Sequence, residues 1–448
     1  MPGNRTRPRT VMVLPRCCRY TTRHTTNAAI TIYSTISMRS SLDRARPVRV
    51  GFRVASGLIA AQPQGGVPGL STTPRLSTGC PFSFPPRPVI RHCGVVTTTT
   101  QILPDGTPCI SLRDPAQIIA SVPPLLGFRP ENSVVVLGLG GADGTRVRPV
   151  VRLDIPAAMH EPDAVRALQQ VFDENPVKAA LIVLIGHRPG QSPPSEGPPH
   201  RRFVESLCAK LGPRVPYAVW AAEIREGARW CAYHSEESGV LPDDTSTVTA
   251  AVFTAGGKVT FESREELAAQ LAPDDVEAVA RRAKLVTAAV NALDPSVSPE
   301  RLLSAQLALV RSALERVRRG HLSFSDGEIV GLALALSNTG VRDACLALAR
   351  VPHVSSDAER LWLELVRRMP APERSEAAVL LSYFAYLRGE GALAGIAADN
   401  ALDANPRNVL ADLLSCCLVT GLPPERLHGL ACTEDPDLLC PESAGSEK

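Results

Sequence analysis

The feature that most constrains the fold is the most apolar predicted strand of the chain, VKAALIVLIGH at 177–187, between two segments with a helical pattern. The segment before it, 161–176, is amphipathic, and a second helix is predicted around 201–211. The apolar face of the first helix consists of Val165, Leu168, Val171 and Phe172. A strand that is apolar along its whole length needs cover on both faces, which helices on either side of a sheet supply. The sequence therefore predicts an α/β sheet.

A hairpin is predicted upstream, where the apolar run SVVVLGL (133–139) is followed by GGADGT (140–145) and RVRPVVRLDIP (146–156). Asp143-Gly144 is a preferred hairpin dipeptide, and the glycines lack the full G-x-G-x-x-G spacing of a dinucleotide-binding loop. The second strand alternates in polarity, which predicts one solvated face, and Pro149 indicates an edge strand. Its expected apolar face is Val147, Pro149, Val151, Leu153 and Ile155, and its expected polar face is Arg148, Val150, Arg152 and Asp154.

Helix boundaries are marked by residue types that satisfy free backbone groups at helix ends. Asp114-Pro115 predicts the start of a short helix that Pro123 and Pro124 end. From Ser263 onward the pattern is helical to about residue 430, with start signals at Ser263, Ser298 and Ser325 and a stop at Arg318-Arg319-Gly320. We therefore predict α/β followed by all-α: a mixed β-sheet with flanking helices at 98–262, a helical-hairpin domain at 263–430 and a tail at 431–448.

Charge divides the chain near residue 97. Residues 1–100 contain 14 Arg, no Lys and a single acid, Asp43, whereas the remainder carries a net charge of about −10. The first 97 residues also lack a helical period and long aliphatic runs, so they are predicted to form a disordered basic arm. Three interpretations fit this arm: a nucleic-acid-binding arm, a transit peptide, and an upstream reading frame included by a misplaced start codon. We favour the last, in which the arm is not translated.

Signature motifs for common chemistries are missing from the sequence. It has no C-x-x-C pair among its 12 cysteines, no H-E-x-x-H, no G-x-S-x-G and no phosphate-binding G-x-x-x-x-G-K-[ST]. We therefore assign no metal-binding and no cofactor-binding residues, and any cofactor is left unknown. It also has no apolar run of 18 residues and no secretory signal, which favours a soluble cytoplasmic protein with no membrane partner. The acidic charge after residue 100 makes nucleic acid a poor match.

Polar residues follow three predicted strands. Asp154 ends the strand at 146–155, His187 and Arg188 follow the strand at 177–186, and Glu223 lies at the end of 217–224. Right-handed crossovers would make these strands parallel, so their carboxyl ends would share one edge of the sheet, where open α/β sheets bind ligands. A histidine between two carboxylates can perform acid–base chemistry. The alternative, which we favour, is that these are ordinary solvated loop residues.

One helical segment, AVLLSYFAYLRGEGALAGIAADNALDANP (378–406), resembles a tetratricopeptide repeat. Ala394, Ala401 and Pro406 match the late small-residue and proline positions of that repeat. The first half of the consensus is not matched, and 34 residues upstream only Pro372 corresponds. The segment therefore predicts a closely packed helical hairpin of that general style, without an array of repeats.

Four segments together resemble an actinobacterial family known as domain of unknown function forty-one ninety-two. They are ISLRDPAQIIASVPPLLGFRPENSVVVLGL (110–139), GARWCAY (227–233), SREELAAQLAP (263–273) and YLRGEGALAGIAADNALDANPRNVLADLL (386–414). The resemblance covers about residues 98–430. Relatives often carry cysteines and PPEG after the second segment. This chain has HSEESGVLPDD there instead, which puts a metal or redox role in doubt. The family implies no known activity.

The function that these observations favour is a protein-interaction or regulatory role through the helical half, with a partner bound by residues 294–430. Stacked helical hairpins form partner grooves, and no catalytic motif is present. The alternative is a small-molecule-binding protein or enzyme with its site at Asp154, His187, Arg188 and Glu223. The sequence leaves open whether the protein is an enzyme, which ligand it binds and what its oligomeric state is.

Overall fold

The computed structural model describes most of the chain from residue 114 onward. The described residues are 31–33, 37–38, 48–49, 51–54, 99–102, 108–112, 114–140, 146–175, 177–188, 197–215, 217–255, 257–431 and 439. The predicted arm at 1–97 and the predicted tail at 431–448 therefore lie largely outside the described residues. The same holds for the predicted hairpin turn at 141–145 and for most of the loop at 188–199.

Twelve strands lie in the described residues, and seven of them form the central sheet. The strands are β1 (Thr31–Tyr33), β2 (Ser37–Met38), β3 (Val48–Arg49), β4 (Gly51–Val54), β5 (Thr99–Ile102), β6 (Pro108–Leu112), β7 (Ser133–Gly140), β8 (Arg146–Asp154), β9 (Val177–Ile185), β10 (Tyr217–Ala221), β11 (Arg229–Ala232) and β12 (Ser238–Val240). The central sheet has the order β1-β8-β7-β9-β10-β11-β12. Only β9 and β10 pair in parallel within it, so the sheet is mixed, as predicted.

The helices follow and surround this sheet. They are α1 (Pro115–Ala120), α2 (Val122–Leu126), α3 (Glu161–Glu174), α4 (Arg201–Leu211), α5 (Val248–Ala255), α6 (Arg264–Ala269), α7 (Val276–Asn291), α8 (Pro299–Arg318), α9 (Asp326–Leu336), α10 (Thr339–Ala347), α11 (Pro352–Arg368), α12 (Arg374–Arg388), α13 (Gly391–Ala404), α14 (Val409–Thr420) and α15 (Pro424–Leu427). The predicted succession of an α/β part and a helical part is confirmed.

The predicted hairpin is confirmed, because β7 and β8 pair antiparallel. The register shifts between Leu137 and Leu139, and Pro149 falls in the unpaired interval of that irregularity, where its missing N–H costs no ladder hydrogen bond. The prediction of a solvated face on β8 was wrong. Val150 and Arg152, both expected on that face, are buried. The reason is that a helical layer, contributed by residues far along the chain, covers this side of the sheet.

Two cores lie on opposite faces of the central sheet. On one face, Val134 and Val136 of β7 pack with α3 and α4. On the other face, Val135 and Leu137 belong to one continuous apolar core that extends through α8, α11, α12 and α13. The sheet is therefore the middle layer of three, with residues that alternate along β7 serving both cores. Because the second core is shared by the sheet and the helices, the division into 98–262 and 263–430 stays a prediction.

Most helix starts use the residues that the sequence indicated. The Asp114 carboxylate accepts a hydrogen bond from the backbone N of Ala116, and Ser298 caps α8. Ser325 and Glu328 form the reciprocal capping box of α9. The prediction that Pro123 and Pro124 end the first helix was wrong in detail. α1 ends before them, and both prolines lie in the first turn of α2, where a missing N–H is tolerated.

Within the described part of the chain, no single helix is long and apolar enough to span a membrane. Two helical segments, 326–336 and 339–350, meet the length and composition test only when they are taken together, and they are bent by 91° at the break between them.

Candidate functional site

The carboxyl ends of β8, β9 and β10 meet at one edge of the central sheet, which we call the carboxyl edge. β7 runs antiparallel to both β8 and β9, so these two strands point the same way, and β10 is parallel to β9. The register fixes their ends: Ser133 pairs with both Asp154 and Ile185, and Ile185 pairs with Ala221. The predicted common direction of the three strands is confirmed, although β7 separates the first two.

The two predicted carboxylates at this edge are each paired with an arginine on their own strand or loop. An oxygen of Asp154 lies 2.5 Å from an Arg152 nitrogen, and an oxygen of Glu223 lies 3.6 Å from an Arg225 nitrogen. No ion pair or hydrogen bond among the described residues joins either carboxylate to His187. The structure brings these predicted residues to one edge without direct contact, so their joint action stays a prediction.

His187 and Arg188 are held by backbone and side-chain contacts from the neighbouring segments. The backbone N of His187 donates to Oδ1 of Asn132, at 3.3 Å. The Arg188 guanidinium donates to the carbonyl oxygen of Pro156, at 2.6 Å, and pairs with the carboxylate of Glu161. Arg188 therefore ties the segment after β9 to the start of α3.

Unusual backbone conformations concentrate at the carboxyl edge. Asn132 (φ 44°) and His200 (φ 55°) are the two non-glycine residues with positive φ in the part of the chain that the structure describes. Gly186 has a φ of 74°, and a Cβ at that position would lie 2.6 Å from Oδ1 of Asn132, so a side chain there would clash. Residues in sparsely populated conformations cluster at functional sites in many proteins, which singles out this edge.

His200 is the histidine whose surroundings at this edge are the most unusual. Its Nε2 atom is buried and has no hydrogen-bond partner among the described residues. Burial lowers the pKa of His200, the positive charges of Arg188 and His187 lower it further, and the carboxylate of Glu161 opposes them. The imidazole is therefore neutral near pH 7, with one ring nitrogen free to bind a ligand.

Sequence reasoning missed His200 and Glu161 as members of this edge. His200 directly precedes α4, and Glu161 is the first residue of α3. Helices that follow strands of an α/β sheet begin near its carboxyl edge. This rule, applied to the helix starts as well as to the strand ends, would have found both residues.

Metal and thiol chemistry find little support in the described residues. None of their His, Cys, Asp and Glu side chains form a group of three or more that could hold a metal ion. Cys208 lies beside His234, with Sγ 3.7 Å from Nε2, but burial raises the pKa of Cys208 to about 11. A thiol with such a pKa is protonated near neutrality, so this pair lacks the thiolate that a nucleophile requires.

A second candidate lies on the outside of the helical part, and we call it the α7–α8 surface. It consists of Leu285, Val290, Leu293, Val297 and Leu302, each between 36% and 55% exposed. Exposed leucine and valine side chains are ordinary when scattered, but these five lie within 18 consecutive residues. They occupy the second half of α7, its connection to α8 and the first turn of α8.

The helices under this surface contribute few fully buried residues near it. α7 buries Ala278 and Val286, and the fully buried residues of α8 begin at Val310, although Leu303 and Leu307 pack partly buried against the core. Both helices pack on α9, and Asp326 at the start of α9 receives hydrogen bonds from Arg281 and Arg282, at 2.6 and 2.7 Å. The apolar residues of the surface therefore add little to the core beneath them.

A family model described as Domain of unknown function (DUF4192) matches residues 115–425. The chain belongs to this family. The family resemblance inferred from the sequence is thereby confirmed, while an actinobacterial origin and the tetratricopeptide-like segment stay predictions. No curated protein and no solved structure matches the chain.

The DUF4192 match includes the carboxyl edge, the α7–α8 surface and a partly buried charge network. In this network Lys258 Nζ lies 2.7 Å from Oε1 of Glu390, and the Arg388 guanidinium pairs with both Glu390 and Glu359. Burial raises the pKa of Glu359 to about 7, against the attraction of Arg388. Burial also acts to raise the pKa of Glu390, but Arg388 and Lys258 outweigh it and lower the value to about 2. The network links the segment after α5 to the helical part.

Proposed function

We propose that this DUF4192 protein has a protein-interaction role through its helical half. The observation that carries the proposal is the α7–α8 surface. These exposed apolar side chains cluster along one segment of the chain, and clusters of exposed apolar side chains commonly mark binding surfaces. Burying these side chains against a partner would remove from water an area that the fold itself leaves exposed.

The α7–α8 surface supports this role better than the helical hairpin at 378–406, on which the prediction was first based. Every residue from Ala377 to Tyr386 of α12 is buried. Helix α13 packs against α12, and the Ser382 hydroxyl donates to the carbonyl oxygen of Ala394, at 2.8 Å. The hairpin is thus a central element of the core and offers no groove along α12. We therefore assign the proposed interaction role to α7 and the start of α8. This region overlaps the predicted partner region, 294–430, from Val297 onward.

A double substitution tests the proposal. Leu293→Glu with Val297→Glu places two charges in the middle of the surface without touching a buried residue. The matched control is Val409→Glu, which adds a charge at an 81% exposed valine on α14, elsewhere on the helical half. Tagged full-length proteins are used to capture binding partners from native lysate, which are quantified by mass spectrometry.

We expect a protein that binds the wild type and the Val409→Glu control and is lost from the double variant. The melting temperatures of the three proteins should agree, because surface substitutions change stability little. An identical set of captured proteins for all three would contradict an interaction role for this surface.

A second function is favoured by His200: binding of a small molecule at the carboxyl edge. Its buried Nε2, which has no hydrogen-bond partner among the described residues, offers a ligand-binding atom, and His187 and Arg188 lie at the same edge. His200→Asn tests this function, because asparagine tolerates the positive φ that the backbone adopts there. The control is His353→Asn at an exposed position on α11.

Native mass spectrometry of the purified full-length proteins gives the readout. A small molecule that accompanies the wild type and the His353→Asn control but not His200→Asn would support this second function. A molecule that accompanies all three proteins equally would place its site elsewhere.

A further inference from the structure

The partly buried charge network contains two carboxylates that share one nitrogen atom of an arginine. Nη2 of Arg388 lies 2.6 Å from Oε1 of Glu359 and also contacts an oxygen of Glu390. The two carboxylates therefore lie within the roughly 4–6 Å over which like charges disfavour each other's ionised form. Nζ of Lys258 pairs with Glu390, at 2.7 Å. Glu390 thus has two cationic partners, whereas the cation paired with Glu359 is shared.

Glu359 is the member of the network that holds a proton near neutral pH. Its side chain is 13% exposed, and burial is the largest influence on its pKa, which is raised to about 7. The charged groups that act on it come from outside α11: Arg388 and Lys258 oppose the rise, and Glu390 adds to it. Water that reached this carboxylate would favour its ionised form, because the largest effect opposing ionisation would be relieved.

The segment at 257–262 is the part of the surroundings of the network that opens most easily. It follows α5, and four of its six residues are exposed, whereas α11, α12 and α13 pack together through the apolar core. Its far end is attached to the stretch before β7, because the backbone N of Phe261 donates to the carbonyl oxygen of Gly127, at 2.9 Å. Lys258 therefore joins an exposed segment to the helical part.

We infer that Glu359 is a proton switch for the contact between Lys258 and Glu390. While Glu359 carries its proton, Lys258 stays paired with Glu390, and the 257–262 segment lies closed on the helices. Loss of the proton adds a second carboxylate charge to the network, and the closed form must then hold that charge away from water. Release of Lys258 opens the segment and hydrates Glu359. The switch is separate from both functions proposed above, so its failure leaves them untouched.

The direction and size of the switch follow from proton linkage. The pKa of Glu359 is about 7 in the closed form and returns toward its ordinary value, 4.5, when the segment opens. The closed form is therefore fully favoured below pH 4.5, and this preference is lost as the pH rises through about 7. Between pH 6 and pH 8, the ratio of open to closed form should rise by up to about tenfold.

Trace labelling of lysine amines with acetic anhydride, followed by mass spectrometry of the full-length protein, measures the release of Lys258. Lys284, which is exposed on α7, is the internal reference for a free amine at each pH. In the wild type, labelling of Lys258 relative to Lys284 should rise by up to about tenfold between pH 6 and pH 8. In Glu359→Gln, which has no proton to lose, the ratio should stay at the low wild-type value for pH 6. The control is Glu265→Gln, at an exposed position on α6, which should behave like the wild type.

Hydrogen–deuterium exchange tests whether the segment opens together with its lysine. After correction for the intrinsic effect of pH on amide exchange, protection at 257–262 should be lower at pH 8 than at pH 6 in the wild type. In Glu359→Gln it should be equal at both. Three results would overturn the inference: a wild-type labelling ratio that is the same at both pH values, a ratio that rises equally in Glu359→Gln, and protection at 257–262 that stays constant while the ratio rises.

Discussion

Two pairs of helices in the helical part have similar compositions but differ in how much of their apolar surface is buried. α12 and α13 form the centre of the core, whereas α7 and the first half of α8 lie at its periphery, where Leu303 and Leu307 are only partly buried. Both pairs are rich in alanine and aliphatic residues, so composition alone does not separate them. The comparison shows that the apolar side chains of α12 stabilise the fold by being buried, whereas the exposed leucine and valine side chains of α7 and α8 are available to bind a partner.

The polar side chains of these two helix pairs also differ in how far they are buried. Within the core, the hydroxyls of Ser375 and Ser382 donate to carbonyl oxygens of α13, each at 2.8 Å. On α7, two arginines reach Asp326 at the start of α9, where the side chain of Arg281 is 58% exposed. Buried hydrogen bonds of the first kind fix how two helices pack. The ion pair of Arg281 is exposed and contributes little to stability, whereas the Arg282 side chain is only 12% exposed.

The largest expected effect is that of Phe384→Ala in α12. Phe384 is 2% exposed, and its ring packs edge-on against Trp362, with the ring centroids 6.2 Å apart. Removing a buried aromatic ring leaves a cavity and should lower the free energy of unfolding by about 3–5 kcal/mol. Chemical denaturation of the purified protein measures this change. A loss below about 1 kcal/mol, typical of exposed sites, would mean that α12 is not a core helix.

Ala394→Leu should have the next largest effect, since it inserts a larger side chain between α12 and α13. Ala394 is fully buried, and its carbonyl oxygen accepts the hydrogen bond from Ser382. Overfilling a packed contact should lower the free energy of unfolding by about 1–3 kcal/mol. The matched control is Ala288→Leu, which makes the same change at an exposed position on α7. Equal denaturation midpoints for the two variants would contradict the contrast between the helix pairs.

Glu359→Gln should change how stability depends on pH. The pKa of Glu359 is raised to about 7 by burial, from an ordinary value of 4.5, so the folded state holds its proton more tightly than the unfolded state. Between these two values the unfolded state loses the proton first, and the contribution of Glu359 to stability falls as pH rises. Glutamine carries no titrating proton. The variant should therefore gain stability relative to the wild type between about pH 5 and pH 8, by on the order of 1 kcal/mol.

Urea denaturation at several pH values measures this difference between Glu359→Gln and the wild type. Glu265→Gln is the control, because Glu265 is exposed on α6 and outside the charge network. Its stability should follow the wild type at every pH. If the Glu359→Gln and wild-type curves stay parallel from pH 5 to pH 8, Glu359 does not hold a proton in the folded protein near neutrality.

Local features of this fold could be predicted from the sequence because they depend on neighbouring residues. The caps at Asp114, Ser298 and Ser325 and the hairpin strands β7 and β8 belong to this class. The common direction of β8, β9 and β10 followed from the handedness of crossover connections. Asp154, His187, Arg188 and Glu223 were accordingly expected near one edge, and the strand register brings them there.

Features that depend on distant parts of the chain could not be predicted in this way. Arg152 was expected in solvent, but it is 7% exposed, lies near the ring of Phe128 and donates to the hydroxyl of Ser133, at 2.9 Å. Val150, two residues before it, belongs to the core that extends into helices encoded more than 100 residues later. The exposure of α7 has the same origin, because its periodicity is consistent with either an inner or an outer helix. Only the packing of α9 beneath it shows which side of α7 remains open.

The smallest expected effect on stability comes from Leu285→Ala on α7, and it separates the two roles of apolar residues in this half of the protein. Leu285 is 41% exposed, so its truncation should change the free energy of unfolding by no more than about 0.5 kcal/mol. The same substitution removes apolar area from the α7–α8 surface, so less of any partner captured through that surface should be recovered. Phe384→Ala should show the reverse pattern at temperatures where it stays folded, with a large loss of stability and unchanged partner capture. If Leu285→Ala instead destabilises the protein as strongly as a core substitution, α7 has a buried partner within the chain, and its leucine and valine side chains are not available to a binding partner.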